Sequence, residues 1–293
     1  MIKKGLSCVA LLLFSLQIYA IKIDRAIVST NTNPMYLDFW PVVAKAWKKM
    51  GITPTLALIA DDDVQIDESL GDVIRFKPIE GVSTAVHAQT IRLLLPAYFE
   101  DDVSIISDID MLPLNKEYYV DSVKECPENA FVVYRPNPYP NQNLISMCYN
   151  AAKGSTFKEV FQINSIEDIP VIVKKWSTAL KNNHMTDEIL LYHYLHKWKD
   201  YSARCVKLED KLDGRRIDRG DWQYDIKKLK QNYYVDSHML RPYKKYKSEI
   251  DELATHIGLG DVGYNNYYYI ALLILVFLGL GVGIFFVKKK RSA

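Results

Sequence analysis

Short uncharged apolar runs alternate with amphipathic stretches through most of the chain. From Arg25 to Ser29 an apolar run ends in Ser29-Thr30-Asn31-Thr32-Asn33-Pro34, the pattern of a strand entering a polar loop. A helical pattern follows to Met50 and is stopped by Gly51, with Pro41 beginning or kinking its regular part. Residues 53–60 (TPTLALIA) predict a second buried strand and Val73–Lys77 a third. Between Ser83 and Phe99, Ile91, Leu94, Leu95 and Tyr98 share one helical face. Val103–Ser107 (VSIIS) predicts a fully buried strand that stops at Asp108-Ile109-Asp110. Strands separated by helical stretches predict an α/β domain with a mostly parallel sheet, whose ligands collect beyond the carboxyl ends of the strands. Downstream, strands are predicted at Phe131–Arg135, Leu144–Tyr149 and Ala203–Leu208. Helices are predicted over about 155–163, 168–182 and 186–198, with a polar amphipathic helix from Tyr243 to Ile257. No internal repeat or long low-complexity linker divides the domain.

Two apolar segments set an expected topology. Ile270–Val287 holds 18 residues without a charge, close to the span of a bilayer core, with Tyr267 to Tyr269 as an interfacial belt. A basic block, Lys288 to Arg291, follows it. At the other end Lys3 and Lys4 precede an apolar stretch from Leu6 to Leu16 and then Gln17-Ile18-Tyr19-Ala20, which suits a secretory signal cleaved after Ala20 or an uncleaved anchor. The expected organisation is a signal at 1–20, a folded domain at 21–262, a transmembrane helix at 267–287 and a basic cytoplasmic tail at 288–293. Because both apolar segments carry their basic residues on the outer side, the positive-inside rule puts the folded domain outside the cytosol. A single-pass membrane protein is expected, with a luminal domain in the endoplasmic reticulum or Golgi, or an extracytoplasmic one, and contact to membrane lipid through the C-terminal span. No Asn-x-Ser/Thr sequon occurs.

Composition changes this picture little: 293 residues, 49% hydrophobic and 25% charged, supply ample material for a core. The net charge of +2 is more informative once placed. Six of the 37 basic residues sit at the two chain ends, leaving 31 in the interior against all 35 acids. An acidic interior argues against nucleic acid as a partner. Cys8, Cys126, Cys148 and Cys205 show no close C-x-x-C spacing, so neither a zinc site nor a disulfide framework is indicated.

Two acidic triplets compete for the chemistry. Asp61-Asp62-Asp63 lies beside Asp67 and Glu68 and reads as a solvated turn. Asp108-Ile109-Asp110 follows a buried strand and precedes Met111-Leu112-Pro113-Leu114, so its two carboxylates lie in apolar surroundings where a cation or a hydrogen-bonding partner is needed. In an extended backbone Asp108 and Asp110 would aim at one point and could hold a divalent cation with positions open to phosphate oxygens. The plain alternative is a strand-end turn with Asp as cap.

The stretch Ala88-Gln89-Thr90-Ile91-Arg92-Leu93-Leu94-Leu95-Pro96, followed by Asp101-Asp102-Val103-Ser104-Ile105-Ile106-Ser107-Asp108-Ile109-Asp110, resembles the core of GT-A-fold glycosyltransferases with a D-x-D motif. The specific part covers residues 84–114, the looser part about Ala26 to Tyr243. The resemblance implies a GT-A-like, Rossmann-related mixed sheet, mostly parallel and flanked by helices. It implies a nucleotide-diphosphate sugar as donor, Mn²⁺ or Mg²⁺ as cofactor, and a glycan, glycolipid or glycoprotein as acceptor. Asp108 would then lie near the ribose or sugar and share the metal with Asp110, and Arg92 would contact the donor. Ser29 and Thr30 lie where the first strand of this fold meets the nucleotide. Asp236-Ser237-His238-Met239-Leu240-Arg241-Pro242-Tyr243 is similar to the late His motif of several such families, which implies His238 as a third metal ligand. Arg241 stands where those families carry Lys, keeping a cation for the diphosphate but with a planar fork. A His ligand favours Mn²⁺ over Mg²⁺.

Thr186-Asp187-Glu188 opens a helix, where acids favour the dipole. The resemblance implies in addition an acidic residue bonding a sugar hydroxyl or deprotonating the acceptor, and Asp187 is preferred to Glu188 for that catalytic role. Inversion would need such a base, whereas the late His motif is similar to that of retaining families. Arg215, Arg216 and Arg219 alternate with Asp213, Asp218 and Asp221 in a stretch ending at Trp222, read either as a surface salt-bridge cluster or as a loop closing over donor phosphates.

Two rival readings use the same residues. Haloacid-dehalogenase-type phosphatases also carry D-x-D after an apolar strand, but on the first strand of their domain and with Thr or Val where Leu112 stands. A membrane-anchored glycan-binding domain on an inactive GT-A-like fold would need no Mn²⁺. Nucleotide sugars are supplied to the eukaryotic secretory lumen, which agrees with a domain facing that side.

Overall fold

A computed structural model describes residues 21–139, 142–181, 184–209 and 214–260. The expected signal at 1–20, transmembrane helix at 267–287 and tail at 288–293 lie outside the described residues. Among the described residues no helix is long and apolar enough to cross a membrane.

The first half follows the pattern of strand, crossover, strand. Strand β1 (Arg25–Asn31) leads through a turn of helix, α1 (Pro34–Leu37), into α2 (Trp40–Lys49). Pro41 falls at the start of α2, where its missing N–H costs nothing, which is why the expected single helix is two. The helix buries Trp40, Val43 and Trp47, carries Lys48 and Lys49 in its last turn, and ends before Gly51 at φ +80°. β2 (Thr53–Ile59) and β3 (Asp72–Phe76) follow, then α3 (Thr84–Leu94) and β4 (Val103–Ile106). β1 pairs in parallel with β2 from Arg25↔Thr53 to Asn31↔Ile59, and on its other edge with β4.

The second half adds β5 (Met111–Pro113), α4 (Lys116–Tyr119), β6 (Phe131–Val133), β7 (Asn150–Lys153), α5 (Gly154–Phe161), α6 (Ile169–Ala179) and α7 (Thr186–Lys197). It closes with α8 (Tyr201–Arg204), β8 (Cys205–Lys207), β9 (Arg216–Asp218), α9 (Ile226–Lys230), β10 (Asp236–His238) and α10 (Lys247–His256). The central sheet runs β3-β2-β1-β4-β7-β6-β8 and is parallel except where β7 meets β4 and β6. The expected α/β class with a mostly parallel mixed sheet is what the chain forms.

The sheet separates two cores. Along β1, Ala26 and Val28 face the α2 side with Trp40, Trp47 and Tyr149, whereas Ile27 faces the other side with Ile91, Phe157 and Trp176. One expected strand is displaced. Residues 144–149 form irregular chain, and β7 starts at Asn150. Ile145 and Met147 are buried, but as loop residues packed against the second core, and the buried Asn150 amide donates to the carbonyls of Ser146 (2.8 Å) and Met147 (3.2 Å). Burial of a loop and burial of a strand leave the same apolar mark on a sequence.

Two features of this layout place a site. The chain builds leftward from β1 to β3 and then returns to β4 on the right of β1, so the strand order reverses between β1 and β4, where a crevice opens beyond the strand ends. A second sheet, β5-β10-β9, then lies next to that crevice, with His238 opposite both Met111 and Asp218.

Candidate active site

Beyond the carboxyl ends of β1 and β4 lies a cavity of about 440 Å³. Ser29, Thr30 and Asn31 enter it from β1. Ala85, Ala88, Gln89 and Arg92 enter from one face of α3, and Asp108, Ile109 and Asp110 from the turn after β4. His238, Arg241 and Arg219 close it from the side of the small sheet, with Asn33, Tyr36 and His184 at its edge. Of the residues expected to serve the site, seven therefore meet in one cavity: Ser29, Thr30, Arg92, Asp108, Asp110, His238 and Arg241. Neither Asp187 nor its neighbour Glu188 lines it. A larger hollow of about 710 Å³ beside Lys49, Lys116 and Leu259 gathers no comparable set.

The strand end differs from the expectation of an extended D-x-D. Ser107 N still pairs with Ile27 O (3.0 Å), but Met111 N donates to Asp108 O (3.2 Å), so residues 108–111 form a turn. The two carboxylates reach the same cavity with different partners. Asp108 accepts from the Arg92 guanidinium and from the Cys148 thiol (2.8 Å). Burial alone would raise its pKa, yet Arg92 and the Cys148 hydrogen bond outweigh it and hold the carboxyl below the ordinary value. Asp110, 6% exposed, has its Oδ2 3.0 Å from Arg219 Nη1, 3.5 Å from His238 Nε2 and 3.6 Å from Arg241 Nη1.

His238 is placed by backbone and by charge. β10 carries it, and the next residue, Met239, donates its N–H to Asp110 O (2.9 Å). Its Nδ1 lies 3.4 Å from Asp218 Oδ2 on β9, which turns Nε2 toward Asp110. A carboxylate behind an imidazole is the arrangement that orients a metal-binding His. Two carboxylates and one imidazole nitrogen fit a divalent cation such as Mn²⁺ in their chemistry. As they stand, no group of three acidic, His or Cys side chains among the described residues closes on a common point. Arg92 and Arg219 occupy the oxygens an ion would use.

Arg92 is the second departure. Expected to contact the donor, it is 6% exposed and bridges Asp108 and Asp187, with a further bond from Nη1 to Ser107 O (3.3 Å). Its charge holds two carboxylates in place, and its own pKa is raised because those carboxylates outweigh the effect of burial. Asp187, expected to be catalytic, is 2% exposed beneath that guanidinium. Burial pushes its pKa up and Arg92 offsets the rise only in part. The next residue is different: Glu188 is half-buried, accepts from the Tyr139 hydroxyl (2.8 Å), and has its pKa pushed up to about 7 by burial.

The arginine-rich stretch divides between its two readings. Arg216 forms a two-point ion pair with the fully buried Asp236, which also accepts from Tyr149 Oη (2.8 Å), so this part is internal rather than a surface cluster. Arg219 reaches the cavity. Ser29 and Thr30, at the β1 end of the cavity, turn their hydroxyls to Ala88 O (2.5 Å) and Asn31 O (3.1 Å). The other triplet, Asp61 to Asp63, is exposed, as expected of a solvated turn.

No protein-family model matches the sequence, and no curated protein matches it. Several solved structures resemble the chain. The glycosyltransferase GlyE of Streptococcus pneumoniae TIGR4 shows 12% identity and a TM-score of 0.44 over 80% of this chain, which spans only 63% of GlyE. The galactosyltransferase LgtC, solved with donor and acceptor sugar analogues, shows 12% identity and a TM-score of 0.47 over 79% of this chain and 95% of its own. A glycosyltransferase involved in glycosylation of the major capsid of PBCV-1 shows 10% identity and a TM-score of 0.40 over 80% of this chain and 98% of its own. With so little identity and overlap, the functional reading rests on the side chains of the cavity.

Proposed function

We propose that the chain is a membrane-anchored, metal-dependent glycosyltransferase that moves a sugar from a nucleotide-diphosphate-sugar donor to an acceptor hydroxyl, its folded domain on the luminal or extracytoplasmic side. The observation that carries the reading is the meeting of Asp108, Asp110 and His238 with Arg219 and Arg241 in one cavity at the point where the strand order reverses. Acids for a cation next to arginines for an anion suit a metal–diphosphate pair better than either ligand alone.

In this reading Asp108, Asp110 and His238 would hold the cation, which when bound supplies Lewis-acid stabilisation of the departing diphosphate. Arg241, tethered to the Tyr36 hydroxyl, and Arg219 neutralise phosphate oxygens. Ser29 and Thr30 border the nucleoside. Arg92 and Asp187 act through Asp108, as positioning residues. Screening the purified chain against nucleotide sugars, with Mn²⁺ and with EDTA, tests the proposal. Transfer with one donor that EDTA abolishes is the expected result. Hydrolysis of p-nitrophenyl phosphate without any nucleotide sugar would instead favour a phosphatase, and sugar binding indifferent to Mn²⁺ a binding domain.

Glu188, which like Asp187 lies outside the lining of the cavity but is half-buried rather than sealed, is the residue we propose for the acid–base role expected of Asp187. Its pKa of about 7 lets it gain and lose a proton under working conditions, whereas Asp187 is sealed beneath Arg92. The transfer rate is expected to rise from pH 6 to pH 8, and the Glu188→Gln variant to be slower and to lose that rise. The same profile in the variant would exclude the role. The group also leaves a stability signature. Its pKa is raised above the ordinary 4.5, so the folded state holds the extra proton between that value and about 7. Stability therefore falls as pH rises through this window, and Glu188→Gln should flatten the slope in thermal unfolding.

A further inference from the structure

We propose that Arg219 holds the cation's place: its guanidinium sits on Asp110 until a divalent ion takes that oxygen, and then turns to the donor's diphosphate. The inference rests on the metal-dependent reading above and adds to it a defined exchange.

Three groups converge on Asp110 Oδ2, but only Arg219 stands at hydrogen-bonding distance, 3.0 Å against 3.5 Å for His238 and 3.6 Å for Arg241. Asp110 is nearly sealed from water, so its charge needs a partner at all times. The lone pair given to the guanidinium is not available to an ion, and a divalent ion on the same oxygen would repel the guanidinium at contact distance. That repulsion favours the departure of one of them.

The surroundings single out Arg219. His238 is fixed by the pairing of β10 and by Asp218, and Arg241 is bonded to the Tyr36 hydroxyl. Arg219 stands on a turn closed by the Asp218–Asp221 bridge and by Gly220 N donating to Asp218 Oδ1 (2.8 Å). That turn can keep its backbone while the side chain swings. There is room to swing, because Arg219 also borders an open groove of about 440 Å³ shared with Met35, Tyr36, Leu240, Arg241 and Tyr246. Among the described residues no acid lines this groove, so once the ion has taken up Asp110 an anion arriving at its junction with the cavity meets Arg219 and Arg241. The exchange would keep the buried carboxylate neutralised in both states and tie diphosphate capture to the presence of the ion.

Two affinities of the purified full-length chain test this by isothermal titration: Mn²⁺ without nucleotide, and inorganic pyrophosphate at saturating Mn²⁺. Arg219→Ala is expected to tighten Mn²⁺ on the order of three- to tenfold and to weaken pyrophosphate by a similar factor. Arg219→Lys, which keeps the charge, should lie close to the native chain in both. Effects of opposite sign are the signature, since general damage to the site would weaken both. Unchanged or weaker Mn²⁺ binding by Arg219→Ala, while the native chain binds the ion, would overturn the exchange alone. Absence of Mn²⁺ binding by the native chain would overturn the metal-dependent reading and the exchange together.

Discussion

Asp110→Asn is expected to lower sugar transfer by about 10³-fold, the largest catalytic effect of any single substitution in the cavity. If Asp110 holds the proposed cation, losing that anionic ligand removes several kcal/mol of charge stabilisation at the departing diphosphate, and each ~1.4 kcal/mol is about tenfold in rate. Asn keeps the shape and the backbone carbonyl that receives Met239 N–H, so the turn should survive. Arg219, its closest partner, is partly exposed, and the loss of that pair should cost the fold about 1 kcal/mol or less. Initial rates with saturating donor, together with an unfolding curve, separate the two effects. Near-native transfer by a folded Asp110→Asn chain would remove the carboxylate from the mechanism.

The parts of this site legible in the sequence are those written in neighbouring residues. The VSIIS run announces β4, its abrupt end announces Asp108 and Asp110, and the polar turn after Val28 announces the mouth of β1. What stayed hidden depends on pairing at a distance. β5, β9 and β10 are three residues each, too short for any periodicity, yet they bring Asp110 together with Asp218 and His238, both more than 100 positions further along the chain. Arg219 carried a faint signal, an arginine next to a glycine in a charged stretch, but nothing in that stretch names Asp110 as its partner. Asp187 is expected in a catalytic role because the family resemblance implies an acid at such a helix start. Its enclosure comes from Arg92, 95 positions earlier on α3.

That enclosure makes Arg92→Met the substitution with the largest expected effect on stability, about 3–5 kcal/mol. The native arrangement holds one guanidinium between two carboxylates, one of them 2% exposed, with further support from Ser107 O. Methionine fills the volume but leaves Asp187 with a buried charge and no counterion. The chain has one escape, since Asp187 can take up a proton. Its pKa is already raised by burial with Arg92 present, and without Arg92 the rise is larger. The folded variant would then hold a proton that the unfolded chain releases, so its stability falls as pH increases, and the deficit against the native protein should be greater at pH 8 than at pH 5. Urea unfolding at the two pH values measures this. Arg92→Met combined with Asp187→Leu should recover much of the loss at pH 8, because no charge is then left buried at that position. A deficit below about 1 kcal/mol, or one that shrinks with rising pH, would mean that the Arg92–Asp187 pair is solvated and that Asp187 is free to meet an acceptor after all.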